Sequence, residues 1–163
     1  MNIFSKNLLM ASGEKKWVQP ILTANGTIGG NSFAVYASGD TNAYRAFDSS
    51  ASTYWSVFSV VPLIIYNPQA LLISELTFYY TSKNYSLAGM GTSGYSVQGS
   101  NNNSTYSSIS FSETPSSNNT ISTLTLNHSI YYKYYKITLN ADYAWGGNQQ
   151  ARLKNVVIKA IEE

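Results

Sequence analysis

Ser74-Glu75-Leu76-Thr77-Phe78-Tyr79-Tyr80 sets Leu76, Phe78 and Tyr80 two residues apart, with Glu75, Thr77 and Tyr79 between them. Successive side chains of an extended chain point to opposite faces, so this stretch reads as a strand with one buried face. Working outward, strands are expected at Phe33 to Ser38, Leu63 to Tyr66, Gly94 to Gly99, Thr123 to Asn127 and Tyr134 to Asn140. Polar runs such as Ser100-Asn101-Asn102-Asn103-Ser104 separate them. Many short strands joined by Gly, Ser and Asn loops predict an all-β sandwich or barrel and not a parallel α/β sheet. Near the C-terminus, Leu153, Val156, Val157, Ala160 and Ile161 also fit an amphipathic helix, and the β-branched run Val156-Val157-Ile158 favours a final strand.

A length of 163 residues suits one domain. Residues 1–16 read as a connector, because their apolar residues follow no sustained period and lead into Gly13-Glu14-Lys15-Lys16; the domain is residues 17–163. Charged residues make up 11% of the chain, well below the roughly 25% of an average globular protein, while tyrosines number 14. The surface must therefore be rich in Ser, Thr, Asn, Gly and Tyr. Such a surface suits neutral, hydroxyl-rich partners, since tyrosine offers a flat apolar face with a polar tip.

A net charge of +2, with no basic cluster beyond Lys15-Lys16, argues against a nucleic-acid partner. Tyr131-Tyr132-Lys133-Tyr134-Tyr135-Lys136 imitates a stacking platform, but strand alternation would send half of its rings into the core. The absence of cysteine removes disulfides and thiolate metal sites. No run of about 18 apolar residues could span a membrane, and Leu8-Leu9-Met10-Ala11 is short for a signal peptide. The expected setting is a virion surface, a phage tail for example, or the extracellular space as a piece of a longer chain.

Ala43-Tyr44-Arg45-Ala46-Phe47-Asp48 followed by Ser52-Thr53-Tyr54-Trp55-Ser56 resembles the opening motif of discoidin domains, the family of coagulation-factor C domains and many galactose-binding modules. Ser93-Gly94-Tyr95-Ser96-Val97-Gln98-Gly99-Ser100-Asn101, Tyr134-Tyr135-Lys136-Ile137 and Asn155-Val156-Val157-Ile158 are similar to later pieces of that family, in the family's order. With Pro20 to Gly26, the similarity covers roughly residues 17 to 161, and it is nearest to modules of bacteriophage tail fibres, baseplates and related adhesins. The resemblance implies a two-sheet antiparallel jelly-roll sandwich whose loops at one end bind a sugar, a lipid head group or a protein. It places Phe47, Trp55, Phe78, Tyr95, Val97, Ile137 and Leu139 in the interior.

Catalysis is poorly supplied. The sole histidine, His128, stands at an expected strand end and reads as a surface or structural residue, and the resemblance gives Asp48 a loop role that removes it from any carboxylate pair with Asp40. The chain is therefore expected not to be an enzyme. The resemblance implies one structural calcium ion at the Asp48 loop, held by Asp48, Thr53 and the Arg45 carbonyl. Ser49-Ser50 and Asn155 replace the family's acidic and glycine positions, and Asp48 could instead cap its own loop or pair with Arg152.

Tyr143-Ala144-Trp145-Gly146-Gly147-Asn148 reads as the loop between the last two strands, where an indole beside glycines and an amide suits stacking on a pyranose. The family pattern adds Asp40 and Lys83, with Asn84 and Tyr85 beside it. Lys83 stands where sugar-binding members carry arginine, so their galactose specificity does not carry across. Trp145 could instead fold back as a plug, and Asp40 could simply end its strand at the Gly39-Asp40 turn. The leading expectation is a carbohydrate-binding, lectin-like module of a phage adhesion apparatus that attaches to cell-surface glycans, acting in a homo-oligomer or among other virion subunits. The alternative is a structural or protein-interaction domain of a virion or cell-surface assembly. Met90 offers an apolar spike for a membrane surface, without insertion, but the surrounding basic charge is thin.

Overall fold

A computed structural model describes residues 14–163. The connector therefore lies outside the described residues except for its end. Nine strands follow in order: β1 (Lys15–Lys16), β2 (Ala34–Ala37), β3 (Trp55–Phe58), β4 (Val60–Tyr80), β5 (Tyr95–Ser100), β6 (Ser107–Pro115), β7 (Ile121–Asn127), β8 (Tyr132–Asn140) and β9 (Gln150–Glu162). The C-terminal segment is thus a strand throughout. Lys15–Lys16, counted with the connector on sequence, pairs with Glu162 and Ile161 of β9, and Lys15 Nζ meets Glu162 Oε2 at 3.0 Å.

Every pairing is antiparallel, and two strands run through both layers of the sandwich. The first half of β4 pairs with β2 and β8, and its second half with β7 and β9. Likewise β6 pairs with β5 through Ser107 to Ile109 and with β7 through Ser110 to Pro115. The change of layer in β4 falls between Tyr66 and Leu71, where its register with β8 shifts. Pro68 sits in that break, where its missing N–H removes no ladder hydrogen bond.

Alternation decides the core. Leu76, Phe78 and Tyr80 are buried, as are the interior residues expected on sequence, none of them more than 2% exposed. Phe78 packs on Tyr95 at 5.3 Å between ring centroids, and Phe111 meets Tyr95 edge-on. The Tyr80 and Tyr95 hydroxyls share a hydrogen bond inside this cluster. Burial pushes both phenols above their ordinary value of 10.0, because the phenolate would lose its water. Gly99 is required by contact, since a Cβ there would stand 2.2 Å from the Tyr132 ring. His128 has a structural role: Nε2–H donates to Ile73 O at 2.9 Å, and the ring stacks on Tyr132.

The strand registers bring three loops to one end. Trp55 and Tyr80 both face Leu153, Tyr95 faces Leu139, and Val60 faces Asn140. Segments 38–54, 81–94 and 141–149 therefore emerge side by side.

Candidate functional site

Two tight turns from different loops lean on each other at this end, Lys83–Tyr85 and Trp145–Gly147. Trp145 N–H donates to Ser86 O at 3.0 Å, and its indole Nε1–H donates to Ala88 O at 2.9 Å. Gly146 has φ 85°, and a Cβ there would lie 3.3 Å from the Asn84 carbonyl and 3.2 Å from Asn148 Nδ2. The glycine lets the two loops close. Lys83 Nζ stands 4.7 Å from the centre of the Trp145 ring, a cation–π contact. Lys83, Asn84, Tyr85, Trp145 and Asn148 thus gather in one place, with Lys83, Asn84 and Asn148 exposed and both rings half-buried. Trp145 is a partly folded-back ring, tied by its N–H.

The supporting loop is pinned from below. Glu113 of β6 accepts Gly89 N–H at 2.7 Å and the Ser122 hydroxyl at 2.6 Å on Oε1, and Gly91 N–H at 2.6 Å on Oε2.

Arg152 extends the cluster. It follows Ala151 and precedes Leu153, both buried, so alternation turns it outward. Its guanidinium lies 3.8 Å from the Tyr85 ring centre and 5.5 Å from that of Tyr54. It makes no ion pair with Asp48, one of the roles weighed on sequence. Its Nη2 instead donates to Gln150 Oε1 at 3.3 Å.

Asp40 takes part in a turn and a core contact. Its N–H donates to Ala37 O across Gly39, which has φ 73°. Its Oδ1 accepts Asn42 N–H at 2.7 Å, and its Oδ2 accepts the Nε1–H of Trp55. No hydrogen bond joins it to Lys83, Asn148 or Trp145 among the described residues. It lines a separate hollow of about 510 Å³ with Asn42, Arg45, Ser52, Tyr54 and Phe58.

Of the residues expected to hold calcium, Asp48 and Thr53 come together. Asp48 closes its own loop, Oδ1 accepting Ser50 N–H at 2.8 Å and Oδ2 the Thr53 hydroxyl at 2.7 Å. Asn155 faces the same loop across a hollow shared with Ser49, Ser50, Ala51 and Lys154. A hard dication prefers several anionic oxygens. Here Asp48 is the single carboxylate, both its oxygens are engaged, and Lys154 stands at the rim, so the donor set fits calcium poorly. Among the described residues, no three acidic, histidine or cysteine side chains come together elsewhere to hold a metal.

No protein-family model and no curated protein sequence matches the chain. Solved structures do. The family 32 carbohydrate-binding module of Clostridium perfringens NanJ, in complex with galactose, superposes with a TM-score of 0.56 at 20% identity, covering 80% of this chain and 93% of that one. A second C. perfringens family 32 module, in complex with GalNAc-β-1,3-galactose, gives 0.56 at 14% identity, covering 78% and 94%. The C-terminal domain of a Bacteroides fragilis chitobiase gives 0.59 at 13% identity, covering 91% and 99%. At these identities the likeness is one of fold: the protein is an all-β sandwich of the galactose-binding-like type.

Proposed function

We propose that this chain is a non-catalytic carbohydrate-binding module whose sugar site is the cluster of Lys83, Asn84, Tyr85, Trp145 and Asn148. The observation that carries the reading is the pairing of the two turns. It sets the indole of Trp145 among exposed amide and ammonium donors at the loop end of the sandwich. The C–H face of a pyranose can stack on Trp145 once the Lys83 ammonium slides to the ring's edge. There Lys83, Asn84 and Asn148 can bond the sugar hydroxyls. That two modules of like fold were solved with galactose-containing ligands supports the reading. The cluster itself is built of amide, ammonium and aromatic groups, and the acidic residues Asp40 and Asp48 are held by hydrogen bonds in structural tasks.

Stacking contributes about 1 kcal/mol beyond area burial and each net hydrogen bond roughly 0.5–1.5 kcal/mol, so a single site should bind in the micromolar to millimolar range. Useful attachment then needs several copies, as a homo-oligomer or virion array would provide. Attachment of a bacteriophage to bacterial surface glycans is the setting that the sequence resemblance supports.

The test is a glycan array probed with the wild-type chain and with Trp145→Ala, each in competition with free monosaccharide. Wild type should bind a defined set of glycans and be displaced. The variant should lose at least tenfold in binding and melt a few degrees lower, because the indole N–H bond to Ala88 O goes with the ring. An array without a single bound glycan would overturn the reading.

A further inference from the structure

The hollow beside Tyr54 is built differently from the cluster at Trp145. Its volume of about 510 Å³ lies in the range of small-ligand sites, roughly 300–1,000 Å³. Two of its wall residues are rings left in water, Tyr54 at 40% and Phe58 at 61% exposure. Asn42 and Ser52 add polar groups, and the exposed Arg45 adds a cation. Among the described residues the ion pairs are Lys15 with Glu162 and Lys159 with Glu75, both toward the opposite end of the sandwich. Arg45, Lys83 and Arg152 thus share the loop end without a carboxylate bound to any of them. Asp40 lies in the same hollow, but both its oxygens already accept N–H donors, from Asn42 and Trp55.

Tyr54 connects the two places. It lines the hollow and lies within reach of Arg152, which in turn covers Tyr85 beside Lys83. A continuous strip of rings and cations therefore runs from Trp145 to Arg45. We infer that the hollow is a second sugar subsite taking an anionic unit, so that the ligand is an oligosaccharide carrying a carboxylate or sulfate next to the sugar held at Trp145. This rests on the carbohydrate-binding reading and adds the length and charge of the ligand. The anionic group meets Arg45, the cation of the hollow, whose planar guanidinium fork matches carboxylate and sulfate oxygens. The ring of the anionic unit packs on Tyr54 and Phe58.

The experiment uses matched glycan pairs on one array: uronic-acid-containing, sialylated and sulfated oligosaccharides, each beside its neutral counterpart. Wild type should favour the anionic member of at least one pair by tenfold or more, and the preference should shrink as salt rises. The uronate, sialate and sulfate arms distinguish which anionic sugar is used. Arg45→Gln should reduce the preference to threefold or less while leaving binding to the neutral member unchanged. Tyr54→Ala should weaken both members of longer glycans and leave monosaccharide binding intact. Equal binding of anionic and neutral members by wild type, or an undiminished preference in a folded Arg45→Gln, overturns the inference and leaves the carbohydrate reading standing. Failure to bind any glycan overturns both.

Discussion

The segment from Arg45 to Phe58 borders two hollows, and they differ in what each leaves unsatisfied. On one side, a hollow of about 360 Å³ collects Ser49, Ser50, Ala51, Tyr79, Lys154 and Asn155. The loop there is closed by its own residues, with Asp48 bonded to Ser50 and Thr53 within five positions of chain. On the other side, Asp40 is tied down by Asn42 and Trp55, while Arg45, Tyr54 and Phe58 remain turned to solvent. Local hydrogen bonds that close on themselves mark a structural element. What sets the larger hollow apart is that two rings, Tyr54 and Phe58, stand exposed together around Arg45 without local hydrogen bonds closing over them, which offers a partner a contiguous surface.

The comparison can be broken most sharply on the structural side. Tyr80 reaches the smaller hollow and bonds Tyr95 in the core, and burial holds both protons on above pH 10. In the unfolded chain the same phenols titrate near 10, so above that pH the unfolded state binds fewer protons and stability falls as pH rises. The expected slope is about 1.4 kcal/mol per pH unit for each proton retained, read from denaturant melts between pH 9 and 11. The double replacement Tyr80→Phe with Tyr95→Phe should reduce that slope, leaving the part due to Tyr135, whose buried phenol is raised as well. An unchanged slope would place the alkaline sensitivity elsewhere.

Next in size is Asp40→Ala. Removing the carboxylate strands the indole N–H of Trp55, a residue only 1% exposed, at a cost of about 1–3 kcal/mol. For a chain of this length that is roughly 2–10 °C in melting temperature. Restoration by Asp40→Asn would identify the lost hydrogen bond as the cause. A melting temperature within a degree of wild type would recast Asp40 as a ligand-facing residue.

The smallest effect is expected at Asp48. Asp48→Ala removes two hydrogen bonds at a partly exposed loop, about 1–2 kcal/mol, or roughly 2–6 °C. Because the donor set suits calcium poorly, adding calcium or a chelator should move the wild-type melt by less than about 1 °C. A larger stabilisation in wild type that vanishes in Asp48→Ala would install an ion in the loop, since a ligand of the native state stabilises it by mass action.

Much of the sandwich was legible because period-2 alternation is written directly into its buried strands, as in Leu76, Phe78 and Tyr80. Strand β6 was not, since Ser107 to Pro115 is mostly hydroxyl and charged residues, with Ile109 its single fully buried side chain. The length of β4 was hidden by Asn67-Pro68, which reads as a turn and proves to be the irregularity where the strand changes partners. At the loop end, an indole beside glycines and an amide pointed to Trp145 and Asn148, and the resemblance to discoidin domains to Lys83 with Asn84 and Tyr85, which the fold brings together; Asp40, from the same resemblance, lies in the other hollow. On sequence Arg152 read only as a partner of Asp48, and its place beside Tyr85 depends on how the loops fold over β9. The signal was available in its phase, one position out of step with Ala151 and Leu153. The role of Asp40 depends on the path of 15 residues to Trp55, which no local pattern encodes.

The Glu113 strut has a thermodynamic consequence. Its carboxylate fixes the amides of Gly89 and Gly91, and Ala88 beside them holds the indole of Trp145. The platform is therefore in place before any ligand arrives, and ligand capture loses little chain entropy in ordering it. Calorimetry should accordingly show Glu113→Gln binding the same glycan with a more unfavourable entropy, through a carboxylate that the sugar never touches.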